Sequence, residues 1–579
     1  MSILLFAALL FGLLSLADRF AFFRVVAYQL SRADSPHPIR NACIYAAAYA
    51  LGVLGIAVVL AHRNRVVRWT GYGVVAITVA LFAGFRAANG VGFGFHEATL
   101  LFGEPDFIPD ALRYFFADYA PWVAVSWAGL WLVSRYARAF VPRLASPVWL
   151  ILPVLAVWAN SRILEATYSK VSESPIPYRV PLISAYAKDH LVPYYGERDP
   201  VPFAPQDNPL ANHIVFVMDE SISGGLLGIN GGHPDTTPRL AALGDRLLNY
   251  GIASSASNLS STSNLAFQSG LRPDQVPDLE LRSLKNPNVF SFLQAAGFSA
   301  YLIDDQVYSG RPNNLMTRFD LDKLDGHLPL RAREPDSPIE QIDFLAIDEV
   351  ERIVNATERS FVYLIKVGAH FPYDEKSPEE GRAFYPTLVD EGEGTALERT
   401  LNSYRNALRW TVDAFLDELI RRMQETGKSV VIVYTADHGQ SLWAAVDDTA
   451  RSGRPSRWPH GIPEDPPDRQ ASVPLLLVGL TDPVETRLRA LYAPHLRDRV
   501  SQWELFASVL ELAGYSQSQL GAYHHSLFDH EAARDSRQFV SGNLFGIGGG
   551  FYNHDLVEDS VHLNDFEWTP PPTSTNPPD

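Results

Sequence analysis

Cysteine occurs once in the 579 residues, at Cys43, inside an apolar run. One thiol can build neither a disulfide framework nor a cysteine-rich zinc site, so any extracytoplasmic domain must be held by its own packing and by other metal ligands. Positive charge is also short: 48 basic residues stand against 65 acidic ones, a formal net charge of -17. A nucleic-acid binder needs a basic surface, so this balance argues against that class. No internal repeat is apparent, and no basic region precedes the first apolar run, Ser2 to Ala17. That run is therefore expected to be a retained anchor and not a cleaved signal peptide.

What the chain does have is apolar length. Five segments qualify: Ser2 to Ala17, Asn41 to Ala61, Thr70 to Ala88, Tyr119 to Val133 and Pro147 to Ala159. A helix that crosses a bilayer needs roughly 20 such residues; the second and third segments supply them outright, the others only with flanking residues or as short, tilted helices. Five spans are expected. After the first, DRFAFFRVVAYQL reads as interfacial, with Arg19 and Arg24 reaching headgroups. The loops with Arg63, Arg65 and Arg68 and with Arg135, Arg138 and Arg143 are basic, whereas Glu97, Glu104, Asp106, Asp110 and Asp118 make the loop between them acidic. Basic short loops favour the cytoplasm, and an odd number of spans then delivers everything after Ala159 to the outer side. Arg86 is expected to snorkel, with a lipid phosphate as partner. From Ser161 to Pro209 the prolines interrupt any long helix, as in an ordered connector near the bilayer.

The pattern switches after Pro209. HIVFVMD, FSAYLID, FVYLIKV, VVIVYTA and VPLLLVG are short apolar runs suited to burial on both faces, and they alternate with helical stretches such as ALRWTVDAFLDELIRRMQ. This predicts an α/β domain with a largely parallel sheet. The length exceeds what one core supports, and four regions are expected. These are a transmembrane domain over 1–160, a juxtamembrane connector over 161–210, an extracytoplasmic catalytic domain over 211–545 and a C-terminal extension over 546–579. The extension ends in FEWTPPPTSTNPPD, whose prolines and small polar residues cannot form a core.

Chemistry-bearing residues fall just after the predicted strands. Asp219 and Glu220 follow HIVFVM, His370 follows FVYLIKVGA, and Asp437 and His438 follow VVIVYTA. Parallel strands share one C-terminal edge, so residues distant in sequence can meet there. Oxygens from Glu220, Asp437 and Thr262 with the nitrogen of His438 would suit a divalent ion, with zinc favoured by tetrahedral N/O ligation. Asp219 rivals Glu220, and Ser260, Ser261 and Ser263 adjoin Thr262 in SNLSSTSNLAFQSG. Coordination would favour the alkoxide of an otherwise weak threonine nucleophile. His370, and His460 in WPHGIP, are expected on the substrate side, donating to phosphoryl oxygens or moving the proton of an alcohol.

FVMDES with NGGHPDTTPRLA, SSTSNLAFQSG, KVGAHFPY, YTADHGQS, and WPHGIP followed by SVPLLLVG resemble, in that order, the alkaline-phosphatase and sulfatase superfamily. The resemblance runs from about His213 to Ala490 and is to its membrane-anchored phosphoethanolamine transferases and related lipoteichoic-acid synthases. It implies five preceding spans, zinc ligation by Glu220, Thr262, Asp437 and His438, and phosphoryl contacts by His370 and His460. The transferases' cysteines are absent, as is the positively charged position after their first metal-binding glutamate. TSNLAFQSG is closer to the phosphoglycerol-transferring relatives. A formylglycine sulfatase is disfavoured because the turn lacks Cys-x-Pro-x-Arg.

The expected reaction is transfer of phosphoethanolamine from phosphatidylethanolamine to an envelope glycan or glycolipid through a phosphothreonine at Thr262. The alternatives are phosphoglycerol transfer from phosphatidylglycerol, a membrane-anchored phosphodiesterase and a lipid-sensing scaffold. The expected cofactor is Zn2+, with a second divalent ion during turnover as a variant. The expected partners are a phospholipid donor, the glycan or glycolipid acceptor and the lipid bilayer, with no nucleic acid and with the chain a monomer in a bacterial inner membrane.

Overall fold

The computed structural model describes residues 3–31, 37–89, 93, 116–140, 144, 146–167, 174–190, 196–278, 280–307, 314–390, 394–442, 460–461, 466–534, 537–542, 544–545 and 550–554. They form two compact units, one within Met1–Tyr195 and one within Gly196–Asp447 and Trp458–Asp579. Glu97, Glu104, Asp106, Asp110, Arg143, most of WPHGIP and the proline-rich tail lie outside the described residues.

The first unit is helical. It contains α1 (Ile3–Ala17), α2 (Ala21–Ser31), α3 (Pro38–Ala61) and α4 (Arg65–Asn89), then the helices Phe116–Phe140, Ile151–Thr167 and Ile176–His190. Each of the five apolar segments lies on a helix, but the expectation of five spans is overturned. Among the described residues only Pro38–Ala61 and Arg65–Arg86 are long and apolar enough to cross a membrane, or three spans if α1 and α2, bent by 84°, count as one. The reason is length and interruption. The 15 residues of α1 extend only about 22 Å against a hydrocarbon core of about 30 Å. Arg19 and Phe20, both at positive φ, then turn the chain into α2. In Phe116–Phe140 the apolar stretch is confined to Ala120–Val133, and Ile151–Thr167 carries Arg162 and Glu165 near its end. Counting spans therefore no longer places the chain that follows.

Arg86 also differs from expectation. It is buried and its Nε lies 2.6 Å from Asp18 Oδ1, while Arg179 Nη2 pairs with Asp18 Oδ2. One carboxylate at the break between α1 and α2 thus binds guanidinium groups from α4 and from Ile176–His190. The connector contains that full helix, with Pro181 inside it; the proline costs one bond to the first turn without ending the helix.

The second unit is built on a seven-stranded sheet of order β2-β7-β6-β1-β5-β3-β4. The strands are β1 (His213–Asp219), β2 (Leu248–Ser254), β3 (Ser299–Asp304), β4 (Gly326–Pro329), β5 (Ser360–Ile365), β6 (Val430–Ala436) and β7 (Ser472–Leu480). β1 pairs in parallel with β5 and β6, and β3 pairs in parallel with β4 and β5. Only β7 runs against its neighbours. The sheet is largely parallel, as expected, because β1, β5 and β6 are buried along their whole length and helices must cover both faces. The helix Ser260–Ser269 lies against β1, with Phe267 stacked on Phe216 at a ring separation of 4.0 Å.

Candidate active site

Register brings the first carboxylates together. β1 and β6 are adjacent and parallel, with Asp219 across from Ala436, so Glu220 and Asp437 leave the sheet side by side. The two turns are tied to each other. Asp437 N–H donates to Asp219 O, and Ser221 N–H to Asp437 Oδ1, both at 2.9 Å. Ser221 takes a left-handed conformation, φ 63, and its hydroxyl donates to Glu220 Oε1 at 2.6 Å. The loop after β5 closes in through Gly368, φ 54, where a Cβ would lie 2.3 Å from Asp219 Oδ1 and 2.6 Å from Glu220 O. Only glycine permits that approach.

The imidazoles are oriented by backbone carbonyls. His438 Nδ1–H donates to Gly439 O at 2.9 Å, which leaves Nε2 as the nitrogen that could ligate a cation. That atom lies 3.5 Å from Glu220 Oε1 and 3.7 Å from Asp437 Oδ2. His460 stacks on His438 with ring centroids 4.0 Å apart, and one ligand atom each of Glu220, His438 and His460 lie within 4.8 Å of one another. Asp437 Oδ2 and His460 Nδ1 are buried without a hydrogen-bond partner among the described residues. Buried polar atoms left unpaired are costly, and each of these side chains adjoins His438, Asp437 at 3.7 Å from its Nε2 and His460 by stacking on its ring, which fits a cation beside that histidine. Two carboxylates and two imidazoles form an N/O donor set appropriate to zinc.

Electrostatics agree. Burial, reinforced by Asp437, pushes Glu220 well above the usual carboxylate range, and burial lifts Asp437 to about 6. Burial lowers His438 against the pull of Glu220, and takes His460 well below its ordinary value. A divalent cation reverses this logic, because it favours charged carboxylates and needs neutral imidazoles.

A hydroxyl completes the pocket. Ser260 Oγ donates to Glu220 Oε2 at 3.1 Å and lies 3.2 Å from His438 Nε2. A sulfatase family model matches residues 212–515, more than half of the chain and all of the strands just described. The chain belongs to the sulfatase family. Its sulfatase domain is homologous to bacterial phosphoethanolamine transferases. It is 27% identical over 242 residues to the Kdo(2)-lipid A phosphoethanolamine 7''-transferase of Escherichia coli K12, covering 41% of each chain. It is 24% identical over 289 residues to the phosphoethanolamine transferase EptA of Helicobacter pylori, covering 48% of this chain and 50% of that one. The chain spans about half the length of the curated relatives it matches. The fold is shared with the lipooligosaccharide phosphoethanolamine transferase A of Neisseria meningitidis, with TM-score 0.59 and 17% identity, over 90% of this chain and 99% of that one.

Within the sulfatase domain the residues singled out from sequence fall into three groups. Glu220, Asp437 and His438 meet at the sheet edge. His460 joins them at ligand distance, closer to the metal position than its expected place on the substrate side. Thr262 points elsewhere: its hydroxyl donates to Gly542 O at 3.1 Å. His370 stands beyond His460, ring centroids 6.0 Å apart. Its Nδ1–H donates to Phe371 O at 2.8 Å, and burial lowers its pKa to about 3, so it is a neutral imidazole with its lone pair on Nε2.

Sequence reasoning missed Gln306, whose Nε2 donates to Glu220 Oε2 at 2.9 Å and to Lys366 O at 3.0 Å. Its position just after FSAYLID was the available signal. Asp219, the rival ligand, is instead engaged by Lys366 and by the Tyr434 hydroxyl. A second trio, Glu504, His524 and His525, also clusters. There Arg534 Nε lies 2.7 Å from the Glu504 oxygen that His525 meets at 2.6 Å. The guanidinium supplies the positive charge a metal would bring, so this is an ion-pair cluster.

Proposed function

We propose that this chain is a metal-dependent transferase that moves a phosphoethanolamine headgroup from phosphatidylethanolamine to an envelope glycan or glycolipid, outside the cytoplasmic membrane. The observation that carries this is the convergence of Glu220, His438 and His460, with Asp437 Oδ2 3.7 Å from His438 Nε2, beside a hydroxyl-rich helix start. Those four side chains would hold the cation. When bound, it would lower the cost of losing a hydroxyl proton and neutralise charge developing on phosphoryl oxygens.

The protein groups supply the rest. A hydroxyl of the turn attacks phosphorus, the bond to diacylglycerol breaks, and the headgroup stays on the enzyme. An acceptor hydroxyl then attacks the same phosphorus and releases the enzyme oxygen. His370, with Nδ1 already engaged, presents Nε2 to relay the proton of that acceptor hydroxyl to the departing enzyme oxygen. The two or three spans that the described helices are long and apolar enough to make would attach the chain to the bilayer that holds a lipid donor, which raises the encounter probability without requiring transport. The names of the curated relatives support the headgroup and the lipid A type of acceptor.

The test is incubation of the purified full chain, zinc-loaded and in detergent, with headgroup-labelled phosphatidylethanolamine or phosphatidylglycerol. Diacylglycerol release and label on the protein with the first lipid are expected, followed by passage of label to an added lipid A acceptor. Label from phosphatidylglycerol alone would make it a phosphoglycerol transferase, and release of free headgroup despite acceptor would make it a phosphodiesterase.

A further inference from the structure

We infer that the hydroxyl which carries the headgroup is that of Ser260 and not that of Thr262, an assignment that rests on the transferase function proposed above. Ser260 is the first residue of the ten-residue helix Ser260–Ser269, entered from an extended Leu259 with no side-chain cap. Its hydroxyl is therefore not spent on capping the helix. It points into the donor set, bonded to Glu220 Oε2 at 3.1 Å and 3.2 Å from His438 Nε2. The backbone beneath it is pinned, since Asn264 Nδ2 donates to Ser260 O at 2.8 Å and Asn264 Oδ1 accepts from the Tyr363 hydroxyl.

Helix geometry keeps the rival away. Residues two apart on a helix are separated by about 200° around the axis, so Ser260 and Thr262 cannot present side chains to one pocket. Thr262 is buried on the other side, against Gly542 O at 3.1 Å. Ser263 is likewise committed, to Ser257 O at 3.1 Å. The first N–H groups of a helix have no partner inside it, and at this helix start they can receive phosphoryl oxygens.

In the first half-reaction the bond from Ser260 Oγ to phosphorus forms and the bond from phosphorus to the diacylglycerol oxygen breaks. The serine proton ends on that departing oxygen. In the second, the acceptor oxygen bonds to phosphorus, the bond to Ser260 Oγ breaks, and the acceptor's proton returns to the serine. The intermediate is a phosphoserine diester.

The experiment compares wild type, S260A, S260T and T262A as full-length zinc-loaded proteins with labelled phosphatidylethanolamine. Adduct position is read by tandem mass spectrometry, diacylglycerol release by rate, and zinc per chain by elemental analysis. The adduct should map to Ser260. S260A should lose it and slow release by about a thousandfold or more with zinc content unchanged, which separates loss of the attacking group from collapse of the site. S260T should recover the adduct at position 260, and T262A should keep both adduct and release within about tenfold. An adduct on Thr262 or Ser261, or full labelling of S260A, would overturn the assignment. Absence of both adduct and release in zinc-loaded wild type would remove the transferase function and this assignment with it. An adduct on Ser260 without passage to any glycan would remove only the acceptor.

Discussion

Lys366 Nζ lies 2.6 Å from Asp219 Oδ2, and neither side chain is exposed. The lysine also donates to Thr411 O and faces Asp343 Oδ2 at 3.7 Å, while Asp219 Oδ1 accepts from Glu220 N–H at 2.9 Å. A buried ion pair thus anchors the residue that precedes Glu220, the first proposed metal ligand.

Removing one partner of such a pair leaves an uncompensated buried charge. Lys366→Met should destabilise the chain by about 3–5 kcal/mol, whereas the double change Lys366→Met with Asp219→Leu should recover most of that loss. Denaturant unfolding of the three proteins measures it. Equal loss in single and double variants would mean that the pair is not what holds this region.

Gln306 bridges Glu220 Oε2 and Lys366 O. Its replacement by alanine leaves all four proposed ligands in place but frees the Glu220 carboxylate to rotate. Zinc affinity should fall about 10–100-fold, read by competition with a chromophoric chelator. Stripping the metal should lower Tm in wild type, and the shift should disappear in Asp437→Asn.

His213 opens β1 with Nδ1 2.9 Å from Ser360 Oγ. Burial, with Lys428 adding repulsion, lowers it from 6.5 to about 4. The unfolded chain therefore binds the proton better between those values. Its contribution is fully present above pH 6.5 and is lost as pH falls towards 4, by up to about 3 kcal/mol. Stability of His213→Gln should fall less steeply across that window by up to one proton equivalent, visible as a flatter plot of unfolding free energy against pH.

Asp18 compensates Arg86 and Arg179 in the helical unit. Asp18→Asn should leave two buried guanidinium groups without a counter-charge, at a cost of about 3–5 kcal/mol. Thermal unfolding in detergent should show the loss, with zinc content per folded chain unchanged. An unaltered Tm would mean that other groups neutralise these arginines.

Much of the sheet and half of the pocket were legible because both depend on local pattern. HIVFVMD is apolar at every position but its ends and VVIVYTA at every position but Thr435, which marks strands buried on two faces, and the residues following such parallel strands lie along one edge. Glu220, Asp437 and His438 were reachable that way. The membrane unit was less legible: hydropathy marks helices, but α1 stops after 15 residues where Asp18 turns to meet two arginines, a partnership 161 residues long in the case of Arg179.

The sequence by itself determined five of the seven strands of the main sheet and their order along the chain, missing β2 and β4, together with the oxygen and nitrogen chemistry available after several of them and the lack of any thiolate alternative. Only the tertiary structure decided that Ser260 faces the pocket while Thr262 turns to Gly542, that His460 stacks on His438, and that Gln306 holds Glu220. The physical reason is that periodicity describes the face of one element, whereas these contacts depend on how far a helix is rotated and where a loop returns after crossing the sheet.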